Sequence, residues 1–257
     1  MSLSAYRTFQ GLVLAALGLF LLSKLWDGSI LLYINQRFVW LVVFAAIGLV
    51  ILSQVILQNR VPARDVESET HDHAGHDHKH EDHDHATVSG WNLWWLALPV
   101  LLGLLVPARP LGTSALATRG ITTSAPLNAR GSSTSISLEL PSAERTVLDW
   151  NRTINYASDP FQYNGEPVDV TGFVYHDPRL QEGEFLVGRF TLTCCVADAF
   201  AIGMVVLWPA GTDLPDNSWV RVQRTFEVTE EDGQRTPTIQ AQTVEQIPEP
   251  PQPYLYP

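Results

Sequence analysis

FVWLVVFAAIGLVILSQVIL, residues Phe38 to Leu57, runs for twenty positions without a charged side chain. A helix rises about 1.5 Å per residue, so the stretch reaches about 30 Å, the thickness of a bilayer's hydrocarbon core. A second apolar stretch, FQGLVLAALGLFLLSKL, precedes it over Phe9 to Leu25, and a third, WNLWWLALPVLLGLLV, follows over Trp91 to Val106. The third is shorter, but Val88 and Ala108 can extend it. The pattern predicts three transmembrane helices. Trp91, Trp94 and Trp95 suit the interfacial aromatic belt. Pro99 is expected to kink its helix, and Lys24 is close enough to the end of its span to snorkel.

A signal peptide is the competing reading of the first stretch. Its only early cation is Arg7 and no small-residue cleavage site follows, so a retained helix is expected. Ala115-Leu116-Ala117 has the form of a cleavage site, but it comes after all three apolar stretches. Arg7 before the first span, with Arg60 and Arg64 after the second, outweighs Arg37 and the borderline Lys24 between them. The positive-inside rule then places the N-terminus and residues 60–89 in the cytoplasm, and the C-terminal domain outside. Arg109 and Arg119 count the other way.

Between the second and third spans lies HDHAGHDHKHEDHDH, which holds seven of the chain's eight histidines. His71, His73, His76, His78, His80, His83 and His85 alternate with Asp72, Asp77, Asp82 and Asp84. Imidazole and carboxylate are good ligands for zinc and similar divalent ions. The surrounding stretch, residues 60–89, has no apolar period and is expected to be disordered without metal. It is expected to bind several ions weakly and exchange them, because a rigid site needs fixed supporting bonds behind its ligands. Neutral imidazole is the ligand, so affinity is expected to fall as pH drops through about 6.5. Zinc, nickel, cobalt and copper all accept imidazole, and zinc is the default. A solvated acidic linker and a pH sensor remain alternatives.

Hydrophobic residues make up 46% of the 257 and charged residues 17%. The formal net charge of -11 argues against nucleic acid as a partner, since phosphate binding needs a basic surface. The membrane, by contrast, is an expected partner.

The chain divides in sequence into two transmembrane helices (1–59), the His/Asp-rich loop (60–89), a third span (90–109), a Ser/Thr/Gly/Ala-rich linker (110–135) and a soluble domain (136–257). This is membrane α plus soluble β. In the soluble domain SISLELP reads as a short strand, and Ser142 is a plausible N-cap for a helix to Tyr156. Beyond Gly165 five strands follow: Pro167–Tyr175, Phe185–Thr193, Ile202–Leu207, Trp219–Val228 and Thr238–Val244. Asp177-Pro178, Pro209-Ala210-Gly211 and Glu231-Asp232-Gly233 are turn signals between them. Five short strands suggest an OB-like β-barrel. The proline-rich tail from Pro248 is expected to be extended and packed through Tyr254 and Tyr256.

The two cysteines, Cys194 and Cys195, are adjacent, which excludes a disulfide framework. With Asp198, and with His176, the one histidine outside the run, they could form a metal or redox site. On a continuous strand, however, adjacent side chains face opposite ways. One cysteine would then face the core while Asp198 caps a turn. There is no Cys-x-x-Cys, no Gly-rich phosphate loop and no nucleophile–base constellation, so an enzyme is not expected.

The paired spans, the His/Asp loop, the third span and the segments VDVTGFVY, GRFTLTCCVADA and WVRV together resemble the YcgQ-like family of uncharacterised bacterial membrane proteins. Its members are typically encoded beside a predicted multi-span permease. The resemblance covers almost the whole chain and is most specific at Cys194, Cys195, Asp198 and Ala199. It implies a functional site at those residues and a permease partner, and it brings no biochemical activity with it.

The leading expectation is a membrane-anchored accessory subunit of a divalent metal transport or homeostasis system. It would gather ions with the histidine loop and dock to a permease, with Cys194, Cys195 and Asp198 as possible further ligands. One alternative is a self-sufficient transporter, which would have to be oligomeric because the spans hold no convincing carboxylate or histidine. The other is a membrane-tethered redox or enzymatic protein using the cysteine pair.

Overall fold

The computed structural model describes residues 3–58, 91–123, 140–231 and 234–257. The histidine run, with all its proposed ligands from His71 to His85, lies outside the described residues, as do residues 135–139 of the expected first strand. The chain separates into two units: one holds the three long helices, the other Ile30–Phe38 together with Arg109–Pro257.

In the first unit α1 spans Leu3–Trp26, α2 Val39–Gln58 and α3 Trp91–Leu105. The segments Ala5–Trp26 and Gln36–Gln58 are long and apolar enough to cross a membrane. α1 packs along α2 on a stripe of small residues, as helices do where apolar burial gives no drive to associate. A Cβ on Gly18 would come within 2.8 Å of Val50 and 3.0 Å of the Ala46 carbonyl. Ala46 and Ser53 are fully buried on that face of α2. The outward surfaces are apolar, with Phe44, Ile51, Trp94, Trp95 and Leu104 all exposed. α3 continues through Pro99 but has only 15 described residues, about 22 Å of helix. The positions that would extend it before Trp91 are outside the described residues, so two of the three expected spans meet the length requirement.

In the second unit the described residues form a mixed sheet of seven strands rather than five. They are β1 Ile121–Thr122, β2 Pro167–Tyr175, β3 Glu184–Thr191, β4 Phe200–Leu207, β5 Trp219–Glu231, β6 Gln234–Ile247 and β7 Tyr254–Leu255. The order is β1-β4-β6-β5-β2-β3-β7, with β4 also pairing with β3. The pairings β2–β3, β3–β4, β4–β6, β6–β5 and β5–β2 therefore return on themselves. All are antiparallel except β4–β6. Gly172 is required at the β2–β3 contact, since a Cβ there would lie 2.5 Å from the Gly188 carbonyl oxygen.

The two extra strands are two-residue segments too short to show a period. β1 lies in the expected linker 110–135. There the Ser/Thr/Gly composition conceals Leu111, Leu116 and Ile121, which pack with Phe173, Phe190 and Tyr254. Leu116 is buried and opens the short helix α4, Leu116–Arg119, so the Ala115-Leu116-Ala117 pattern is part of the fold. β7 lies in the proline-rich tail, and Tyr254 is buried as expected. Its hydroxyl accepts a hydrogen bond from the Leu111 N–H at 2.8 Å. Arg189 donates to the Gln252 carbonyl at 2.7 Å and to the Thr171 hydroxyl at 3.0 Å, fastening the tail. Burial pushes its guanidinium down to about 10.

The helix before the sheet, α5, spans Val147–Tyr156 and starts later than expected. Ser142–Glu144 forms a separate single turn, and Arg145 is extended. The N-cap is Thr146 rather than Ser142. Its Oγ1 accepts from the Asp149 N–H at 3.3 Å, and the Asp149 carboxylate accepts from the Thr146 N–H at 3.0 Å. Asp149 three residues on closes the box, whereas Ser142 has Arg145 in that place. Thr146→Ala should cost about 1 kcal/mol, a fall in Tm of roughly 4 °C, read by thermal unfolding of the detergent-solubilised chain.

α5 buries Val147, Leu148, Trp150 and Ile154 against Val170, Phe185, Met204 and Val222 of the strands. These apolar side chains inside the circuit of strands are the main core.

Candidate functional site

β3 ends at Thr191, which pairs with Phe200 at the start of β4. Leu192 to Ala199 is therefore the connection of an antiparallel pair and not a continuation of the strand. This overturns the expectation that Cys194 and Cys195 face opposite ways, because strand alternation has already stopped. Cys194 is exposed and Cys195 half-buried, and neither lies in the core. Their sulfurs are 3.6 Å apart.

Asp198 organises the turn. Its carboxylate accepts from the Cys194 N–H at 2.8 Å and the Cys195 N–H at 3.3 Å. Cys195 is the N-cap of the single turn Val196–Asp198, and its carbonyl accepts from the Asp198 N–H at 3.1 Å. One sulfur from each cysteine and a carboxylate oxygen lie within 4.8 Å of one another. Hydrogen bonding to Asp198 first, and to Cys195 second, pushes the Cys194 thiol up to about 11. Partial burial works against ionisation of Asp198. Hydrogen bonds from the Cys194 thiol and the backbone N–H groups of Cys194, Cys195 and Thr193 outweigh it and hold the carboxyl below the usual range.

His176 does not join this group. Its Nδ1 lies 2.7 Å from Asp216 Oδ1 and its Nε2 3.0 Å from the Gly211 carbonyl, so both ring nitrogens are engaged.

Sequence reasoning missed the segment that encloses the turn, the connection between α1 and α2. Ile34 bridges to Cys195 in antiparallel fashion. The Asn35 N–H donates to the Cys194 carbonyl at 2.9 Å, and the Val196 N–H to the Tyr33 carbonyl at 2.8 Å. Asn35 Nδ2 donates to the Leu192 and Thr193 carbonyls at 3.2 and 3.0 Å. The one local signal was Asn35, an amide directly after the apolar Leu31-Leu32-Tyr33-Ile34. The turn is thus fixed by its own carboxylate on one side and by a distant backbone on the other. It presents two thiols and a carboxylate, a set of donors suited to a thiophilic cation.

Comparison with known proteins places two family models on the chain. The DUF1980 N-terminal domain matches residues 9–122 and the DUF1980 C-terminal domain residues 143–257. The "UPF0703 protein YcgQ" of Bacillus subtilis is 26% identical over 99 residues, covering 38% of this chain and 35% of that protein. A Streptococcus mutans serotype c protein named "Putative two-component membrane permease complex subunit" is 27% identical over 99 residues, covering 38% and 36%. The chain thus spans about a third of the length of the curated relatives it matches. No solved structure matches.

Proposed function

This chain belongs to the DUF1980 family, whose N-terminal and C-terminal domains it carries in order, and from that premise we propose that it is a membrane-anchored accessory subunit of a permease complex handling a divalent metal, with zinc as the default cargo. The observation that carries the partner is the 99-residue likeness to a protein named as a permease complex subunit. The metal rests on the imidazoles and carboxylates of residues 71–85.

The proposal includes a membrane topology, and one observation supports it. Ile30–Phe38, which joins α1 to α2, belongs to the same unit as the C-terminal sheet, so both stand on one side of the membrane. α2 takes the chain across, and the sheet lies back on the original side. The proposal therefore takes α3, Trp91–Leu105, as part of a third crossing between Gln58 and Arg109. In this proposed topology the histidine run and the cysteine turn are on opposite faces. The positions of Arg7, Arg60 and Arg64 put the run in the cytoplasm and the sheet outside. The closed circuit β2-β3-β4-β6-β5, with β4 and β6 parallel, supports reading the sheet as an OB-like barrel.

Tethering raises the local concentration of weakly held ions at a permease mouth without any tight site. Replacing all seven histidines of the run by alanine should remove the exchangeable zinc bound by the solubilised chain, measured by equilibrium dialysis. In cells it should lower permease-dependent metal flux while leaving permease co-purification intact. Equal metal binding by the parent chain and the variant, or no association with any permease, would sink the reading. Metal flux through vesicles holding this chain alone would replace it with a self-sufficient transporter.

A further inference from the structure

We propose that Cys194, Cys195 and Asp198 form an open, three-donor site for a thiophilic divalent cation of the zinc class, which completes its coordination with a donor from outside the chain. For its biological meaning this rests on the function proposed above, although its test does not.

Capping explains only part of the turn. Asp198 is fully accounted for as a carboxylate receiving backbone N–H groups, but the cysteines are not. A cap such as Cys195 is ordinarily Ser, Thr, Asn or Asp, because a thiol is a poor acceptor. Free cysteine is ordinarily among the most buried residue types, yet here one is exposed, its neighbour is half-buried, and neither is in the core. Packing gives no reason to keep an exposed thiol beside a half-buried one.

The geometry fits coordination. With metal–sulfur bonds of about 2.3 Å, a tetrahedral ion holds two thiolates about 3.8 Å apart. The sulfurs stand at 3.6 Å, whereas a disulfide needs about 2.0 Å. The Asp198 carboxylate lies in the same cluster and is oriented by two N–H groups. The connecting segment through Asn35 and Tyr33 holds the peptides on both sides of the pair, which is the outer support that ligand orientation needs. Three protein donors with a solvent-facing fourth position characterise sites that exchange a ligand, in contrast to the four-donor closure of structural zinc. Binding releases both thiol protons to solvent, and the dithiolate then takes up the cation. Thiolate donors select zinc-like ions over magnesium and calcium.

The test uses the full chain with its seven run histidines replaced by alanine, in detergent under reducing conditions, titrated with Co2+ alone. One equivalent should bind with sulfur-to-cobalt charge-transfer absorption, and Zn2+ should displace it. C194S and C195S should each abolish the absorption. D198N should weaken binding by about tenfold to a hundredfold. Because a cysteine variant can misfold, a second measurement uses the parent chain. Zn2+ should protect both cysteines from alkylation, read by mass spectrometry. Absent charge-transfer absorption, its survival in C194S, or alkylation indifferent to Zn2+ would each overturn the site. Those results would leave the histidine run and the permease association standing. Conversely, a cobalt site in a chain that binds no permease would defeat the functional reading alone.

Discussion

Trp150→Ala is expected to destabilise the C-terminal unit by about 3–5 kcal/mol, enough to lower its Tm by roughly 10–15 °C. Trp150 is fully buried at the centre of α5. Its ring stacks on Phe226 of β5 at a centroid distance of 4.3 Å and meets the Tyr163 ring edge-on at 6.4 Å. The Arg145 guanidinium lies 5.0 Å from it on another side. Truncation removes the contact surface and leaves a cavity that Phe226, fixed in the sheet, cannot collapse to fill. Trp150→Phe keeps an aromatic face on Phe226 and should cost much less. Thermal unfolding of the solubilised chain, followed by near-ultraviolet circular dichroism, reads both. A loss below about 1 kcal/mol for the alanine variant would mean that α5 does not close the core.

Asn35→Ala should cost about 1–3 kcal/mol. Asn35 is almost fully buried, and its amide donates to two carbonyls, those of Leu192 and Thr193, immediately before the cysteine pair. Its Oδ1 also accepts from the Arg37 N–H at 2.9 Å. Alanine leaves those carbonyls without the amide while preserving the backbone bond from the Asn35 N–H to Cys194. Asn35→Asp should be worse, because an ionised carboxylate has no donor and would face two carbonyl oxygens. The sensitive readout is local. Hydrogen exchange at the Val196 amide, bonded to the Tyr33 carbonyl, and alkylation of Cys194 should both accelerate. Unchanged exchange at Val196 in both variants would show that the connecting segment does not brace the turn.

The two predictions fall on residues of very different visibility in the sequence. Trp150 sits in a segment expected to be helical, with apolar neighbours at helical spacing. Asn35 lies in the twelve-residue connection between two apolar stretches, Trp26 to Arg37, where no period exists to say what it touches. The same contrast runs through the fold. β2 was read to its true ends, Pro167–Tyr175, because alternation and flanking turns mark both limits. For β6 the sequence pattern marks only Thr238–Val244, whereas the strand spans Gln234–Ile247, because polar residues outside the central run also pair. β1 and β7 were invisible, since two-residue strands are formed by their partners and carry no pattern of their own.

The candidate site divides in the same way. Cys194, Cys195 and Asp198 were legible as a group, because adjacent thiols and a nearby acid stand out in any sequence. Their orientation was not, and a strand rule pointed it the wrong way. The point where β3 stops at Thr191 is set by its pairing with β4, and pairing is a property of two segments at once. His176, the one histidine outside the run, could join the cysteines as far as sequence goes, but Asp216 and Gly211 hold it elsewhere.

By itself the sequence determined the apolar spans, the histidine run and the β character of the C-terminal half. Each depends on composition or period within one segment, where hydration and backbone geometry act locally. Only the tertiary structure decided that the connection between the first two helices wraps the cysteine turn and that both sulfurs face the same way. It also decided that Thr146, not Ser142, opens the helix. The wrapping of the turn depends on hydrogen bonds between residues up to about 160 positions apart, which form when the folded chain satisfies buried backbone groups that no single segment can satisfy alone. The Thr146 cap is local, three residues from Asp149, and is decided by where the chain leaves the preceding extended Arg145.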